Sequence, residues 1–145
     1  PVLYDGREYT LKFGKGVVHR DGNDVAIIAC GVLVAKAIEA ADILTDDGIE
    51  ASVVDMHTLK PLDEDLVAKL VGDCGCVVTA EDHLLIGGLG GAVAEFLVSN
   101  IPAPLERVGV NDRFGESGQA EEMLDLLSLN TADIVAAAKR AISRK

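Results

Sequence analysis

Residues Gly75–Ser99 read GCVVTAEDHLLIGGLGGAVAEFLVS, and this stretch decides the fold class. The apolar run Cys76–Ala80 is typical of a buried strand, and it is followed by an acidic segment with one histidine and by a loop with glycines at 87, 88, 90 and 91. From Leu89 onward, apolar residues recur at the i, i+3, i+4, i+7 spacing of a helix. A strand that leads through a glycine loop into a helix predicts an α/β protein, in which polar groups at the carboxyl edge of a parallel sheet bind ligands.

The rest of the chain repeats this alternation. Strands are predicted at residues 17–20, 24–30, 49–56, 76–80 and 105–110, with helices after the second, third, fourth and fifth of them and a last helix capped by Thr131. Such βαβ units give a mostly parallel sheet with helices on both faces, which makes three layers. Asp21-Gly22-Asn23 predicts a hairpin that places strand 17–20 antiparallel to strand 24–30 at the edge of the sheet. We expect residues 1–16 to form an arm or linker and residues 17–145 to form one domain.

Composition excludes several classes of protein. The net charge of −11 argues against binding to nucleic acid or to an anionic membrane surface. Three cysteines do not form a disulfide framework, and no signal peptide opens the chain, so a reducing, cytoplasmic compartment is expected. Because the chain begins at Pro1 without Met, we expect it to be a piece of a longer protein.

The glycine loop does not match a nucleotide-binding motif. Val93 stands where the dinucleotide fingerprint needs Gly or Ala, and no phosphate-binding P-loop is present. Two interpretations stay open: tight backbone packing, which is favoured, and an anion or subunit contact through the free N–H groups of the helix.

Polar residues follow several predicted strands. Glu81-Asp82-His83 could act as an acid–base pair, although a polar turn is the favoured interpretation. His57 follows the neighbouring strand and could converge on the same cleft, whereas His19 is expected to be solvated. The candidate edge for a ligand or an interface consists of Gly31, His57, Glu81, His83, Gly87 and Gly88.

Other patterns are incomplete. Cys74 and Cys76 form half a metal site that would need Cys30 and a distant histidine. A small hydrophobic role is favoured for Cys76, which begins an apolar strand, and for Cys30, which ends one. Ser117 lacks the spacing of a nucleophile elbow. We therefore assign no catalytic, cofactor-binding or metal-binding residue.

Four motifs occur in a specific order: GKGVVHRDGNDVAIIACG, AIEAADILTDDGIEASVVDMHTLKPLDEDLV, VVTAEDHLLIGGLGGAVAEFL and APLERVGVNDRFGESG. This set resembles the C-terminal domain of the transketolase family of thiamine-diphosphate enzymes, and Glu81-Asp82-His83 is most similar to the transketolases encoded as two chains. The resemblance implies a mixed, mostly parallel sheet of five strands. It also implies that other domains hold thiamine diphosphate and a divalent metal, Mg or Ca, so that this domain binds neither.

The implied function is a non-catalytic domain that supports dimerisation in an enzyme of the pentose phosphate pathway. That enzyme would move a two-carbon ketol unit between sugar phosphates, and its remaining domains or subunit would be the partner of this chain, in a homodimer. The isolated chain is expected to be inactive. Alternatives are the same domain of a deoxyxylulose-phosphate synthase or of a two-oxoacid dehydrogenase beta subunit, or an autonomous regulatory domain that binds a small ligand.

Overall fold

The computed structural model describes residues 3–4 and 12–145. Most of the predicted arm, residues 1–2 and 5–11, lies outside the described residues. The strands are β1 (Val17–Arg20), β2 (Val25–Ala29), β3 (Ala51–Asp55), β4 (Val77–Leu84) and β5 (Leu105–Val110). The helices are α1 (Leu33–Asp46), α2 (Glu64–Cys74), α3 (Leu89–Asn100), α4 (Ala120–Leu126) and α5 (Thr131–Ile142). None of the helices in these ranges has the length and apolar character needed to cross a membrane.

The five strands form one mixed sheet in the order β1-β3-β2-β4-β5. β1 runs antiparallel to β3, and all other neighbours are parallel. In the centre, Ile27 of β2 pairs with Val53 on one side and with Val78 on the other. The predicted mixed sheet with one antiparallel edge strand is confirmed.

The predicted hairpin between β1 and β2 is wrong, because β1 pairs with β3. Both edges of β2 are occupied by parallel strands, so no edge is left for β1. The turn at Gly22 is tied to β3 instead: the Ser52 hydroxyl accepts a hydrogen bond from the Gly22 N–H at 3.0 Å and donates one to the Gly22 carbonyl at 2.8 Å. A Cβ on Gly22 would lie only 2.4 Å from the carbonyl carbon of Ala51, so the turn needs glycine to cross the start of β3.

Two aliphatic cores lie on opposite faces of the sheet, as the three-layer prediction requires. α1 and α5 cover one face, where Leu33, Leu44 and Ile134 are fully buried. α2 and α3 cover the other face, with Val67, Leu89 and Val93 in its core. Burial of aliphatic area on both faces is the main stabilising contribution in such a domain.

Two predicted element ends need correction. α5 is capped by Asn130 rather than Thr131, since the Asn130 N–H donates to the Asp133 carboxylate at 3.0 Å in a capping box. β4 continues to Leu84, so the predicted turn at Glu81-Asp82-His83 is wrong. The extension is held by β5, because the Leu85 N–H donates to the Val110 carbonyl at 3.0 Å.

Candidate functional site

The carboxyl end of β4 meets the N-terminus of α3 at Glu81. Its residue surface is only 1% exposed. The two carboxylate oxygens accept hydrogen bonds from the backbone N–H groups of Leu89 at 2.6 Å and Gly90 at 2.8 Å. These are the first N–H groups of α3, which have no acceptor within the helix. The carboxylate therefore caps α3 and neutralises the positive end of its dipole.

The glycine loop is shaped to admit this carboxylate. Gly88 is the N-cap of α3 and has no side chain to cap the helix itself. A Cβ at Gly88 would lie 2.1 Å from Oε2 of Glu81. Gly87 has a φ of +81°, a conformation that side-chain-bearing residues rarely adopt. The loop thus binds an anionic group of the same chain, the Glu81 carboxylate.

Glu81 and His83 do not form the acid–base pair that the sequence allowed. Nδ1 of His83 is 4.0 Å from Oε2 of Glu81, beyond hydrogen-bonding distance. The same nitrogen is 2.9 Å from the backbone carbonyl of Leu84, and more than half of the His83 side chain is exposed. The Glu81 carboxylate caps helix α3, whereas most of the His83 side chain is exposed to solvent.

The remaining candidate residues at this edge do not join Glu81. His57 follows β3 and is half-buried, and within the described part of the chain its Nε2 has no hydrogen-bond partner. Gly31 has a φ of +60° and opens onto free space. Of the six predicted edge residues, the structure therefore brings together Glu81, Gly87 and Gly88, with His83 beside them.

Sequence reasoning missed Asp55, the last residue of β3. This buried carboxylate accepts a hydrogen bond from the Tyr4 hydroxyl at 2.5 Å, and that hydroxyl also lies 3.2 Å from Nε2 of His19. The prediction that His19 is merely solvated is wrong, because the Tyr4 ring lies beside its imidazole. An acidic residue at the end of a strand without other charged residues was the available signal.

Cys30, directly after β2, is an unreactive thiol. Burial raises its pKa to about 11, with smaller contributions from the negative charges of Glu81, Asp55 and Asp82. At neutral pH almost none of it is thiolate, the nucleophilic form. A role for Cys30 in covalent catalysis is therefore disfavoured.

The three cysteines cannot share one metal. Cys76 lies at the amino end of β4, one residue before the pair Ala26–Val77, whereas Cys30 lies beyond the carboxyl end of β2. Along the strand direction, five residues separate Cys76 from Cys30, which is a distance of about 16 Å. Over residues 3–4 and 12–145, no group of three or more His, Cys, Asp or Glu is placed to hold a metal ion. Ser117, the other isolated candidate, lies in an exposed loop.

The residues of this edge do not fit the diphosphate and metal end of thiamine diphosphate. A diphosphate needs free N–H donors, and those of Leu89 and Gly90 are already bonded to Glu81. A phosphate oxygen would also have to displace a buried carboxylate of the same charge. No step through this cofactor can be built from the described residues.

An open cleft lies beside Gly31, between α1 and α4, with a volume of about 690 Å³. Its walls are mainly apolar, formed by Leu3, Val32, Ala35, Met123, Leu124 and Leu127. Lys36 and Glu121 form an ion pair across it at 3.3 Å. Lys36, Glu39, Asp82 and Glu121 are the charged residues of its described lining.

Comparison with known proteins gives one consistent result. The chain is 46% identical over 138 residues to the 6-deoxy-6-sulfo-D-fructose transketolase subunit SqwH of Clostridium sp. (strain MSTE9), which covers 95% of this chain and 42% of that protein. It is 45% identical over 135 residues to a putative transketolase C-terminal section of Methanocaldococcus jannaschii, covering 92% of this chain and 42% of that protein. The chain thus spans less than half the length of these two relatives.

A solved structure agrees over the whole fold. A split gene transketolase, described as an inactive beta4 tetramer, superposes with a TM-score of 0.96 at 45% identity, covering 100% of this chain and 47% of that one. Residues 14–134 also match the family model for the transketolase C-terminal domain. The chain therefore belongs to the transketolase C-terminal domain family.

Proposed function

We propose that this chain is the C-terminal domain of a thiamine-diphosphate-dependent enzyme of the transketolase type, encoded in two sections. The whole enzyme transfers a two-carbon ketol unit between sugar phosphates. The observation that carries the proposal is the likeness of the whole chain to the split gene transketolase. Both sequence relatives named above are also described as parts of a transketolase.

Within that enzyme the domain supports assembly and carries no catalytic residue. Three observations argue against catalysis by these residues: Glu81 occupies the N-terminus of α3, the Glu81–His83 pair is not hydrogen-bonded, and the Cys30 thiol is protonated at neutral pH. The domain comprises residues 17–145, preceded by an arm of residues 1–16. The remaining domains or subunit of the enzyme are its partner in a homodimer. Those domains hold the cofactor and its Mg²⁺ or Ca²⁺ ion.

The proposed setting is the pentose phosphate pathway in the cytoplasm. Three free cysteines agree with a reducing compartment. The residues that select the donor and acceptor sugars lie in the other domains, so the donor sugar has to be identified by experiment. A ketose phosphate and 6-deoxy-6-sulfo-D-fructose are the two donors to compare, the second because of the name of the SqwH relative.

The test is ketol transfer by the complete enzyme. The polypeptide that contains this domain is combined with its partner section, thiamine diphosphate and Mg²⁺, and the products from each donor are identified by mass spectrometry. We expect a product lengthened by two carbons from at least one donor, and none when the 145-residue chain is used alone. A parallel reaction is supplied with pyruvate and glyceraldehyde 3-phosphate, and formation of 1-deoxy-D-xylulose 5-phosphate with release of CO2 there, without ketol transfer from either sugar donor, would assign the chain to the synthase. Turnover by the chain alone would overturn the non-catalytic role.

A further inference from the structure

We propose that a groove between α2 and α3 is the docking site for a basic amphipathic helix of another polypeptide. The groove, called here the α2–α3 groove, has a volume of about 770 Å³. It lies between residues 59–65, which lead into the first turn of α2, and the face of α3 that carries Ala92 and Phe96. The partner and the surface are separate from those of the proposed function.

The two faces of the sheet are covered in different ways. On one face α1 and α5 pack along each other, whereas α2 and α3 on the other face do not pack closely side by side. The space left between them is the α2–α3 groove, which runs along α3 from Ala92 to Asn100. That length is about 12 Å, or roughly two turns of a helix laid beside α3. Such a helix would complete this layer as α5 completes the layer beside α1.

The α2–α3 groove offers apolar groups that could anchor a partner. The apolar residues of its described lining are Leu59, Pro61, Leu62, Ala92 and Phe96. Phe13 borders the groove, because Lys15 lines it and a Cβ on Gly14 would lie 2.8 Å from Cγ of Pro61. The surface of Phe13 is 78% exposed. Aromatic side chains that become buried are frequent anchors of protein interfaces, so burial of Phe13 should contribute to binding.

The rim of the α2–α3 groove is acidic. Its described lining holds two positive and four negative residues, a net charge of −2: Lys15, Lys60, Asp63, Glu64, Asp65 and Glu95. Lys15 is already bonded to Asp63 at 2.9 Å and lies 3.5 Å from Asp65. In the ranges that the structure describes, Glu64 and Glu95 are exposed and form no ion pair. Because the whole chain also has a net charge of −11, Lys or Arg on the partner would complement this rim.

A second copy of this chain does not supply such a helix from its described residues. α5 is the described helix with basic residues in its last turn, Lys139 and Arg140. Lys139 is 2.7 Å from the Asp47 carboxylate and Arg140 is 3.0 Å from the Glu106 carboxylate, so both are already paired. The apolar side of α5, which includes Ile134, is buried in the core of its own domain. The occupant is therefore a different polypeptide.

The test is an NMR titration of the isotope-labelled 145-residue chain with a synthetic peptide as the probe. The peptide has about 14 residues, with Leu at the i, i+3, i+4 and i+7 positions of one helical face and Lys elsewhere. A control peptide of the same composition has its Leu residues distributed around the helix. We expect the amphipathic peptide to bind with a Kd of about 10–100 µM and the control at least about tenfold more weakly. Chemical shift changes should be confined to residues 12–15, 59–65 and 92–100.

Substitutions separate groove binding from general attraction to an acidic protein. Phe13→Ser and Glu95→Lys should each weaken binding of the amphipathic peptide by at least about tenfold. Both residues are exposed, so the unaffected part of the spectrum should show that each variant is folded. Asp46→Lys is the matched control, because it makes the same change of charge at an exposed residue of α1 on the other face. It should weaken binding by less than about twofold, since salt screens charges that lie farther apart than about 8 Å.

Several results would overturn the proposal. One is the absence of shift changes at the α2–α3 groove when the amphipathic peptide is added. Another is equal binding of the two peptides, or equal weakening by Glu95→Lys and Asp46→Lys, since charge alone then drives binding. A third is a set of shift changes at the groove that appears in the chain alone as its concentration rises, since a second copy then covers the groove. None of these results bears on ketol transfer by the complete enzyme.

Discussion

Replacing Glu81 by Ala should destabilise the domain strongly, because the carboxylate is both buried and bonded twice. Hydrogen bonds to a charged group contribute about 1.5–3 kcal/mol each, so the two bonds to Leu89 and Gly90 represent roughly 3–6 kcal/mol. Removing the desolvation cost of a buried carboxylate offsets part of this loss. We expect a net decrease of about 2–4 kcal/mol in the free energy of unfolding. Glu81→Gln keeps one acceptor oxygen and should lose about half as much.

The assay is urea unfolding followed by far-ultraviolet circular dichroism. With an m-value of about 2 kcal/mol/M for a domain of this size, the midpoint for Glu81→Ala should fall by about 1–2 M. Glu95→Ala is the matched control, since Glu95 is exposed on the same helix. It should change the free energy of unfolding by less than about 0.5 kcal/mol. A Glu81→Ala protein as stable as the control would refute the assignment of Glu81 as the cap of α3.

Three further predictions follow from the same contacts. Gly88→Ala places a Cβ 2.1 Å from Oε2 of Glu81, so it should destabilise the wild type strongly and the Glu81→Ala variant much less. A double-mutant cycle of unfolding free energies measures this difference, and additive effects would contradict the contact. Because burial raises the pKa of Cys30 to about 11, alkylation of Cys30 at pH 8, followed by mass spectrometry, should be about a hundredfold slower than in the unfolded chain; equal rates would disprove the shift. Burial alone would raise the pKa of Asp63, but bonds from Lys15, Gly16 and Leu66 lower it, so its ionised form stabilises the fold above about pH 4. The stability difference between wild type and Asp63→Asn should therefore shrink as the pH falls below about 4, and a difference independent of pH would contradict this account.

Local patterns in the sequence were sufficient to predict most elements of the fold. The continuous apolar run of β2 is typical of a strand buried on both faces, and β2 is the fully buried central strand. Asp63 is of a residue type favoured at helix N-caps, and its carboxylate caps α2. These features depend on residues close in sequence, so a single chain is enough to predict them.

Long-range contacts account for the errors. The Asp-Gly turn before β2 predicted a hairpin because Asp-Gly between two apolar runs is typical of hairpin turns. In the structure, Ser52 on β3 holds Gly22 through two hydrogen bonds instead. The end of β4 was placed too early because Glu81 and Asp82 are polar, whereas the Glu81 carboxylate is satisfied eight residues later by α3. A helix that starts at Gly88 has no side-chain cap of its own, and this was the signal that another group must supply one.

Titration calorimetry with thiamine diphosphate and Mg²⁺ tests most directly the claim that this domain does not itself hold the cofactor. The ligand is titrated first into the 145-residue chain and then into the complete enzyme formed with the partner section. The structure predicts no binding heat at micromolar concentrations with the chain alone, because Glu81 occupies the N–H groups of α3, and clear binding with the complete enzyme. Micromolar binding of thiamine diphosphate by the chain alone would contradict the account.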